Sequence, residues 1–421
     1  MIVLINALTP TAALLPHQAD VLVYLHNAEA LARGAVPYRD FALEYPPLAL
    51  LAMAVPYFAW PWSPPNLETY RWLFTAWESL LLVALVIVAS QMANRLARER
   101  TTHGGAAASR AIAGRVLVLV IVAAPSLAWR FDLLPAVLAA LAILWVLEGR
   151  ASLAGVALGL GVLAKVYPLV LVPALAVVWL APIDRRRLAG FGGGLVATVA
   201  IGLLPGVLLA GDRALGFVTY QADRGLQLET LPAGLILLVR GWNGAPIPLT
   251  FEHSAVQVSG TAAQLYLAIQ PWLSSICFVA LAALTLTLYR RELRFRGAVQ
   301  PRTIVAIASA FILLLLVTNK VFSTQYIVWL LPLAAFLSRG QFWLAAVIGA
   351  LSVGIHPLFY QQLIEQDRAV VWLLNIRNGL VVALLAWVLA TLVGGSVGQG
   401  ARGVLRRRKR FTVSNIEAEL T

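Results

Sequence analysis

Charged residues are scarce in this chain: they make up 12% of its 421 residues, whereas 60% are hydrophobic. So low a charged fraction excludes an ordinary soluble domain. A single cysteine, Cys277, excludes an intrachain disulfide. Histidine is also rare, and His253 and His356 have no partner at the spacing of zinc ligands. That spacing argues against a zinc site built on these two residues.

Lysine is the rarest charged residue, because only three of the 32 lysines and arginines are lysine. Two of them, Lys165 and Lys320, stand at breaks between long hydrophobic runs. An ionisable side chain at membrane depth is costly and is therefore a functional candidate. The alternative is that each ammonium group snorkels from a helix end towards lipid headgroups.

The formal net charge of +13 carries no nucleic-acid signature, because the basic residues cluster between hydrophobic runs and near the C-terminus. The clusters cover 95–110, 185–187, 290–296 and 406–410. The positive-inside rule places all four in the cytoplasm. We therefore predict a multi-pass protein of the cell membrane with both termini in the cytoplasm. Its basic tail, 401–421, is expected to contact anionic membrane lipids.

Long hydrophobic runs predict an all-α polytopic membrane protein of about twelve transmembrane helices, each judged against a span of ~20 residues. The predicted spans are 1–16, 68–92, 113–129, 133–148, 152–166, 168–182, 189–211, 263–289, 303–319, 325–338, 341–358 and 370–393. The apolar segment 47–62 is interpreted as a re-entrant or surface helix, because counting it as a span would reverse the topology. Residues 1–400 are predicted to form one transmembrane domain.

Two long connections, 17–67 and 212–262, fall on the predicted outer face. Such long segments between packed helices are usually functional or disordered. These two contain apolar and aromatic residues, which favours ordered loops that form the site. Apolar residues at helical spacing predict an amphipathic helix over 20–33, lying on the membrane and ending at a C-cap at Gly34.

Several short motifs lie in these loops and at the breaks between hydrophobic runs. They are Asp20 with Tyr24, Gly34, Pro37-Tyr38, Tyr45-Pro46-Pro47, Arg130-Phe131-Asp132, Ala154-Gly155-Val156, Lys165-Val166-Tyr167-Pro168, Arg224 to Glu229, and Lys320 to Tyr326. In this order, over residues 15–335, they resemble membrane glycosyltransferases of the GT-C superfamily. The best match is glycosyltransferase family 87, a polyprenyl-phosphate-mannose-dependent mannosyltransferase-like group.

The resemblance implies a GT-C fold with outer juxtamembrane helices and an inverting hexosyl transfer, of mannose by preference. The implied partners are a polyprenyl phosphate sugar donor, a lipid or glycan acceptor with a free hydroxyl, and membrane lipids. Many GT-C enzymes carry paired acids at the end of the first helix, whereas this chain has Gln18-Ala19-Asp20. No cofactor is therefore firmly implied, and a requirement for a divalent cation stays open.

The resemblance and the position of Asp20 suggest it as the general base that takes the acceptor proton. The alternative is that Asp20 only caps the helix that follows it. The leaving phosphate needs charge neutralisation, for which the candidates are Lys165, Lys320, Arg130 and Arg224. Candidates for binding sugar or acceptor are Asp40, Glu44, Tyr45, Asp132, Glu229 and Gln325. The alternative for Asp40, Glu44 and Asp132 is that one of them replaces Asp20 as the base.

Other interpretations stay open. An alternative interpretation of Arg130 and Asp132 is that they simply pair with each other across their hairpin turn. Arg377 is either a phosphate ligand or a structural bridge. The rival functions are a transporter or flippase of a lipid-linked or anionic solute, and a lipid-linked glycan ligase or polymerase. Transporters often carry internal repeats and broken helices at the midplane. Here no repeat is evident and the polar residues gather at one face, which favours the transferase.

Overall fold

A computed structural model describes residues 19–98, 105–242 and 246–418 of the chain. The predicted span 1–16 therefore lies outside the described residues.

Helices account for most of the described chain. The first are α1 (Ala19–Ala32), α2 (Ala49–Phe58), α3 (Leu67–Arg98), α4 (Gly105–Trp129), α5 (Leu133–Leu147), α6 (Ala151–Ala164), α7 (Val172–Ala176), α8 (Arg185–Ala210) and α9 (Gly216–Asp223). They are followed by α10 (Leu231–Trp242), α11 (Thr261–Arg296), α12 (Pro301–Thr318), α13 (Ile327–Ala334), α14 (Arg339–Val353), α15 (Tyr360–Ile364) and α16 (Arg368–Ala418). Short 3₁₀ turns cover Tyr167–Leu171, Val177–Trp179, Gly211–Leu215 and Thr324–Tyr326, and a π-helical turn covers Gly354–Leu358.

Seven helices in the described ranges are long and apolar enough to cross a membrane. They are α3, α4, α8 with its continuation to Asp223, α11, α12, α14 with its continuation to Leu358, and α16. Four more predicted spans coincide with the shorter apolar segments α5, α6, Tyr167–Trp179 and Thr324–Ala334. The chain therefore agrees with a helical multi-pass membrane protein, while the total of twelve spans stays a prediction.

The short helix α5 is largely buried, with 12 of its 15 residues in the core. A helix that is apolar all round belongs in the interior of a bundle. At a rise of 1.5 Å per residue, α5 is about 22 Å long and α6 about 21 Å. Both are shorter than a hydrocarbon core of ~30 Å. Each of these helices is therefore too short to cross the hydrocarbon core by itself.

Helices α6 and α8 pack closely against each other, through glycines on both sides. A Cβ atom at Gly155 would lie 2.1 Å from the carbonyl oxygen of Phe191, and one at Gly194 would lie 2.5 Å from the carbonyl oxygen of Ser152. Small residues at four-residue spacing allow such backbone contact between membrane helices. The contact fixes α6, and with it the residue that follows α6, Lys165.

We expect Gly155→Ala to lower the thermal stability of the protein in detergent. The added methyl group meets backbone, which cannot move aside, so overpacking should cost about 1–3 kcal/mol despite the better helix propensity of alanine. The matched control is Gly192→Ala, since a Cβ atom at Gly192 of α8 meets nothing within 4 Å. Equal stability of the two variants would contradict the close contact.

The first predicted loop contains two packed helices. One face of α1, including Tyr24 and Ala28, is buried in the main core. The helix predicted over 20–33 is thus present, and Gly34 ends it with φ +83°, as a C-cap glycine does. With ten residues, α2 is too short to span a bilayer, in agreement with the non-spanning interpretation of 47–62.

The second predicted loop contains a small antiparallel sheet. Its strands are β1 (Leu226–Gln227), β2 (Leu249–Glu252) and β3 (Ala255–Val258), in the order β1-β3-β2. A tight hairpin joins β2 to β3 with positive φ at His253 and Ser254. The described residues of this loop therefore form regular secondary structure. The all-α prediction omits this sheet, because strands of two to four residues leave no periodic signal.

Candidate active site

Two breaks between helices meet at one cavity. α6 ends directly before Lys165, and α12 ends shortly before Lys320. Both lysines line a cavity of about 440 Å³, together with the predicted site residues Glu44 and Tyr45. The rest of its wall is mainly apolar or aromatic and includes Tyr167, Leu169, Val170, Phe217, Phe278, Leu315, Tyr326 and Trp329. We call this space the lysine cavity.

Lys165 points into the protein interior. Its Nζ donates a hydrogen bond to Asp132 at 2.7 Å, and its side chain is only 13% exposed. The ammonium group also lies 5.1–5.8 Å from the ring centroids of Tyr45, Phe131, Tyr326 and Trp329. Such a cage of carboxylate and aromatic faces holds a cation in place. This geometry is opposite to snorkelling, so that alternative is wrong for Lys165.

An aromatic stack supports the cage. The ring of Trp329 lies between Tyr167 and Tyr326, at centroid distances of 4.1 Å and 3.7 Å. Its indole Nε1 donates to Asp132 at 2.5 Å. Asp132 therefore holds Lys165 and Trp329 at once. No role was predicted for Trp329. Its position three residues after Tyr326 places both rings on one side of the helix that starts there.

Arg130 forms an ion pair with Asp20, across 110 positions of sequence. The alternative in which Arg130 and Asp132 pair with each other across their turn is therefore wrong, because Arg130 pairs with Asp20 and Asp132 pairs with Lys165. Capping is also an incomplete account of Asp20, whose carboxylate is engaged by a guanidinium group. Neither Asp20 nor Arg130 lines the lysine cavity. The pair lies beside it, since Phe131 contacts both Lys165 and Tyr45.

Lys320 is held by the second loop. Its Nζ donates to the backbone oxygen of Ala222 at 2.6 Å, and its own carbonyl accepts from Gln227 at 3.0 Å. Burial and the nearby Arg224 guanidinium lower the pKa of Lys320, while Asp223 opposes the shift. Arg224 thus adds positive charge near the cavity without lining it. An anion placed here would relieve the repulsion between the two cations.

The Glu229 side chain is buried, and both of its carboxylate oxygens already accept hydrogen bonds from protein side chains. Its two carboxylate oxygens accept from Gln227 at 3.1 Å and from Thr324 at 3.0 Å. Burial raises the pKa of Glu229, while the Arg377 guanidinium opposes the shift. Arg377 also donates to the backbone oxygen of Glu229 at 2.8 Å and lies over the Phe322 ring. The structural-bridge interpretation of Arg377 thus fits this geometry.

Asp40 lies apart from the lysine cavity, on the surface. Its carboxylate accepts from Arg39 and from the backbone of Val36, and these hydrogen bonds lower its pKa to about 2. So weak a base is poorly suited to take a proton near neutral pH. Its visible role is to close the loop after α1.

Glu44 and Tyr45 connect the two loops. The Ser254 hydroxyl, at the tip of the β2–β3 hairpin, donates to Glu44 at 3.2 Å. Burial raises the pKa of Tyr45, and the carboxylates of Glu44 and Asp132 add to that shift. Gln325 lies half-buried in the turn beside Tyr326 and is not part of the cavity wall.

The described residues contain no cluster of three or more histidine, cysteine or acidic side chains suited to hold a metal ion.

The predicted site residues fall into three groups by location. Lys165, Lys320, Glu44 and Tyr45 line one cavity; Asp20, Arg130, Asp132 and Arg224 surround it; Asp40, Glu229 and Gln325 have other surroundings. Three supporting residues had no predicted role: Gln227, Thr324 and Trp329.

No model of a known protein family matches this chain. Over 447 aligned residues the chain is 26% identical to GPI mannosyltransferase 1 of Neurospora crassa, and the alignment covers 89% of this chain and 87% of the fungal protein. Membership of glycosyltransferase family 87 thus stays a prediction from the motifs. At a coarser level, this chain is similar over most of its length to a mannosyltransferase.

Proposed function

We propose that this protein is a membrane glycosyltransferase that moves a hexose from a polyprenyl phosphate to an acceptor hydroxyl on the outer face of the membrane. The observation that carries the proposal is the lysine cavity. It combines two lysine side chains with a long apolar and aromatic wall. An amphiphile with an anionic head and a hydrocarbon tail satisfies both features.

The shortness of α6 supports a lipid-linked donor. Lys165 follows α6, which is about 9 Å shorter than a hydrocarbon core of ~30 Å. A donor that already resides in the bilayer reaches such a recessed site from the side, with its tail among the helices. A site recessed in this way also disfavours a water-soluble nucleotide sugar, whose charged nucleotide would have to leave water.

In the proposed reaction, the acceptor oxygen attacks the anomeric carbon of the donor sugar and inverts its configuration. The bond from the anomeric carbon to the phosphate oxygen breaks, and its electron pair leaves with the polyprenyl phosphate. Lys165 and Lys320 neutralise that developing charge, with Arg130 and Arg224 as further cations. The acceptor proton passes to the carboxylate of Asp20, which acts as the general base.

The ion pair between Asp20 and Arg130 fits this assignment. A donor phosphate competes with carboxylates for the cations that it approaches. Once the phosphate takes Arg130, the Asp20 carboxylate is free to accept a proton. Donor binding would thus prepare the base, which predicts that the donor binds before the acceptor.

The similarity to a mannosyltransferase favours mannose as the sugar, and it favours transfer over transport. The test is a transfer assay with the full chain in lipid nanodiscs. A panel of undecaprenyl phosphate hexoses is offered with neutral alkyl glycosides as acceptors, with and without a chelator. We expect transfer from undecaprenyl phosphate mannose with inversion at the anomeric carbon. Transfer from GDP-mannose alone, or movement of the lipid across a bilayer without transfer, would overturn the proposal.

A further inference from the structure

A second cavity, of about 530 Å³, lies on the other side of Glu44 from the lysine cavity. Glu44 lines both cavities. The rest of the second wall comes from α1, from the loop after it and from the region where α9 begins. Its principal lining residues are Asn27, Tyr38, Glu44, Asp212, Gly216 and Tyr220. We call this space the Glu44 cavity.

The two cavities have opposite charge. The lysine cavity is lined by two ammonium groups and one carboxylate, from Glu44, and the Asp132 carboxylate and the Arg224 guanidinium lie beside it. The Glu44 cavity contains two carboxylates, from Glu44 and Asp212, and one guanidinium, from Arg213. A phosphate is therefore attracted to the first space and repelled from the second. Two ligands of different charge would be sorted between the spaces, with Glu44 at their boundary.

The polar groups of the Glu44 cavity suit a hydroxyl-rich ligand. The Asn27 side chain is only 8% exposed, and its amide nitrogen donates to a weak acceptor, the Met53 sulfur, at 3.6 Å. Tyr38 is held in place because its hydroxyl donates to the Tyr45 carbonyl at 2.7 Å. A buried amide, carboxylates and fixed aromatic rings supply the hydrogen bonds and flat apolar surface that bind a sugar or another polyol.

Helix α1 connects the Glu44 cavity with Asp20. Asn27 and Val23 line it from α1, and Asp20 precedes them by seven and three residues. Residues at these spacings lie on the same face of a helix. A ligand that fills the Glu44 cavity along α1 thus extends towards Asp20, while its other boundary is the lysine cavity.

We propose that the Glu44 cavity is the acceptor site, and that it takes an uncharged, hydroxyl-rich headgroup rather than an anionic one. Glu44 accepts a hydrogen bond from the attacking hydroxyl and directs its oxygen towards the anomeric carbon. Asp20 receives the proton, so Glu44 is a positioning residue that contacts the acceptor. This inference rests on the proposed glycosyl transfer and adds to it the location and the charge class of the acceptor.

Gly216 offers a direct test by filling the cavity. A Cβ atom there approaches only Tyr38, at 4.0 Å, so a side chain enters open space without displacing backbone. The series Gly216→Ala, Gly216→Leu and Gly216→Trp is assayed with undecaprenyl phosphate mannose as donor and octyl α-mannoside as acceptor. We expect the acceptor KM to rise with side-chain size, by about tenfold or more at leucine. Donor affinity should stay at the wild-type value.

The matched control is Gly379→Leu, because Gly379 lies on α16, borders neither cavity, and has nothing within 4 Å of its Cβ position. A second variant, Asp212→Arg, is independent of cavity filling. With the positive charge added, octyl mannoside 6-phosphate should gain relative to octyl mannoside as acceptor. Wild-type protein should prefer the neutral compound.

The outcomes separate the two proposals. If the wild-type protein transfers no sugar from any polyprenyl phosphate donor, the proposed function itself fails. If it transfers sugar and Gly216→Leu keeps both stability and acceptor KM, the acceptor site lies elsewhere. A wild-type preference for the phosphorylated acceptor, unchanged in Asp212→Arg, overturns the charge assignment.

Discussion

Replacing Lys165 with methionine should abolish sugar transfer and also destabilise the protein. In the proposed reaction this ammonium group neutralises the departing phosphate, and losing one such group typically lowers turnover ~10²–10³-fold. Its removal also leaves the buried Asp132 carboxylate with the Trp329 indole as its remaining side-chain hydrogen-bond donor among the described residues, at a cost of about 3–5 kcal/mol. The measurements are transfer rate, donor binding and thermal stability in the same detergent.

The loss of stability alone would not identify a donor ligand, so a double variant is needed. In Lys165→Met with Asp132→Asn, both charges are absent and the amide oxygen still accepts from Trp329. Stability should recover in large part, because replacing a buried ion pair by neutral groups is often nearly neutral. Transfer and donor binding should stay low. Recovery of transfer together with stability would show that Lys165 only supports the fold.

How far the sequence predicts this site is clearest at the two lysines. Their apolar surroundings mark them as functional candidates, and the structure places both on one cavity. The cause is physical, since a charge inside a hydrophobic run is costly wherever the run folds. Their partners could not be predicted, because Asp132 and Ala222 belong to other elements whose orientation depends on helix packing.

The partner of Arg130 could not be predicted for the same reason. Residues two apart at a turn look like natural partners in sequence, yet Arg130 pairs with Asp20 and Asp132 pairs with Lys165. Hydrophobic runs predict the apolar helices of the described chain, because such helices need only length and composition. Side-chain pairing needs direction, and direction depends on how the ends of α5 and α6 pack.

Asp40 shows the limit of loop motifs. It belongs to the same predicted loop as Glu44, and sequence gives no reason to rank these two carboxylates differently. In the structure, Arg39 and Val36 occupy its carboxylate at the surface, whereas Glu44 lines two cavities. A carboxylate's use depends on what it faces, which a single sequence does not contain.

The second large expected effect concerns Asp20. In Asp20→Asn, transfer should fall by ~10²–10⁴-fold, the usual contribution of a general base. Protein level should survive, because the shape of the side chain is kept. Donor binding should be unchanged or tighter, since Arg130 loses the carboxylate that competes with the donor phosphate. Rates and donor affinity are measured on the same preparation.

The ion pair permits a sharper control, which is the exchanged variant Asp20→Arg with Arg130→Asp. If Asp20 serves only to hold Arg130, the exchange restores the pair and with it a substantial part of the transfer. If Asp20 is the base, the exchange restores stability alone, because the carboxylate now stands on the other side of the pair. Full activity in Asp20→Asn would instead move the base to Glu44, the carboxylate that lines both cavities. In that case Glu44→Gln, rather than Asp20→Asn, should stop the reaction while the donor still binds.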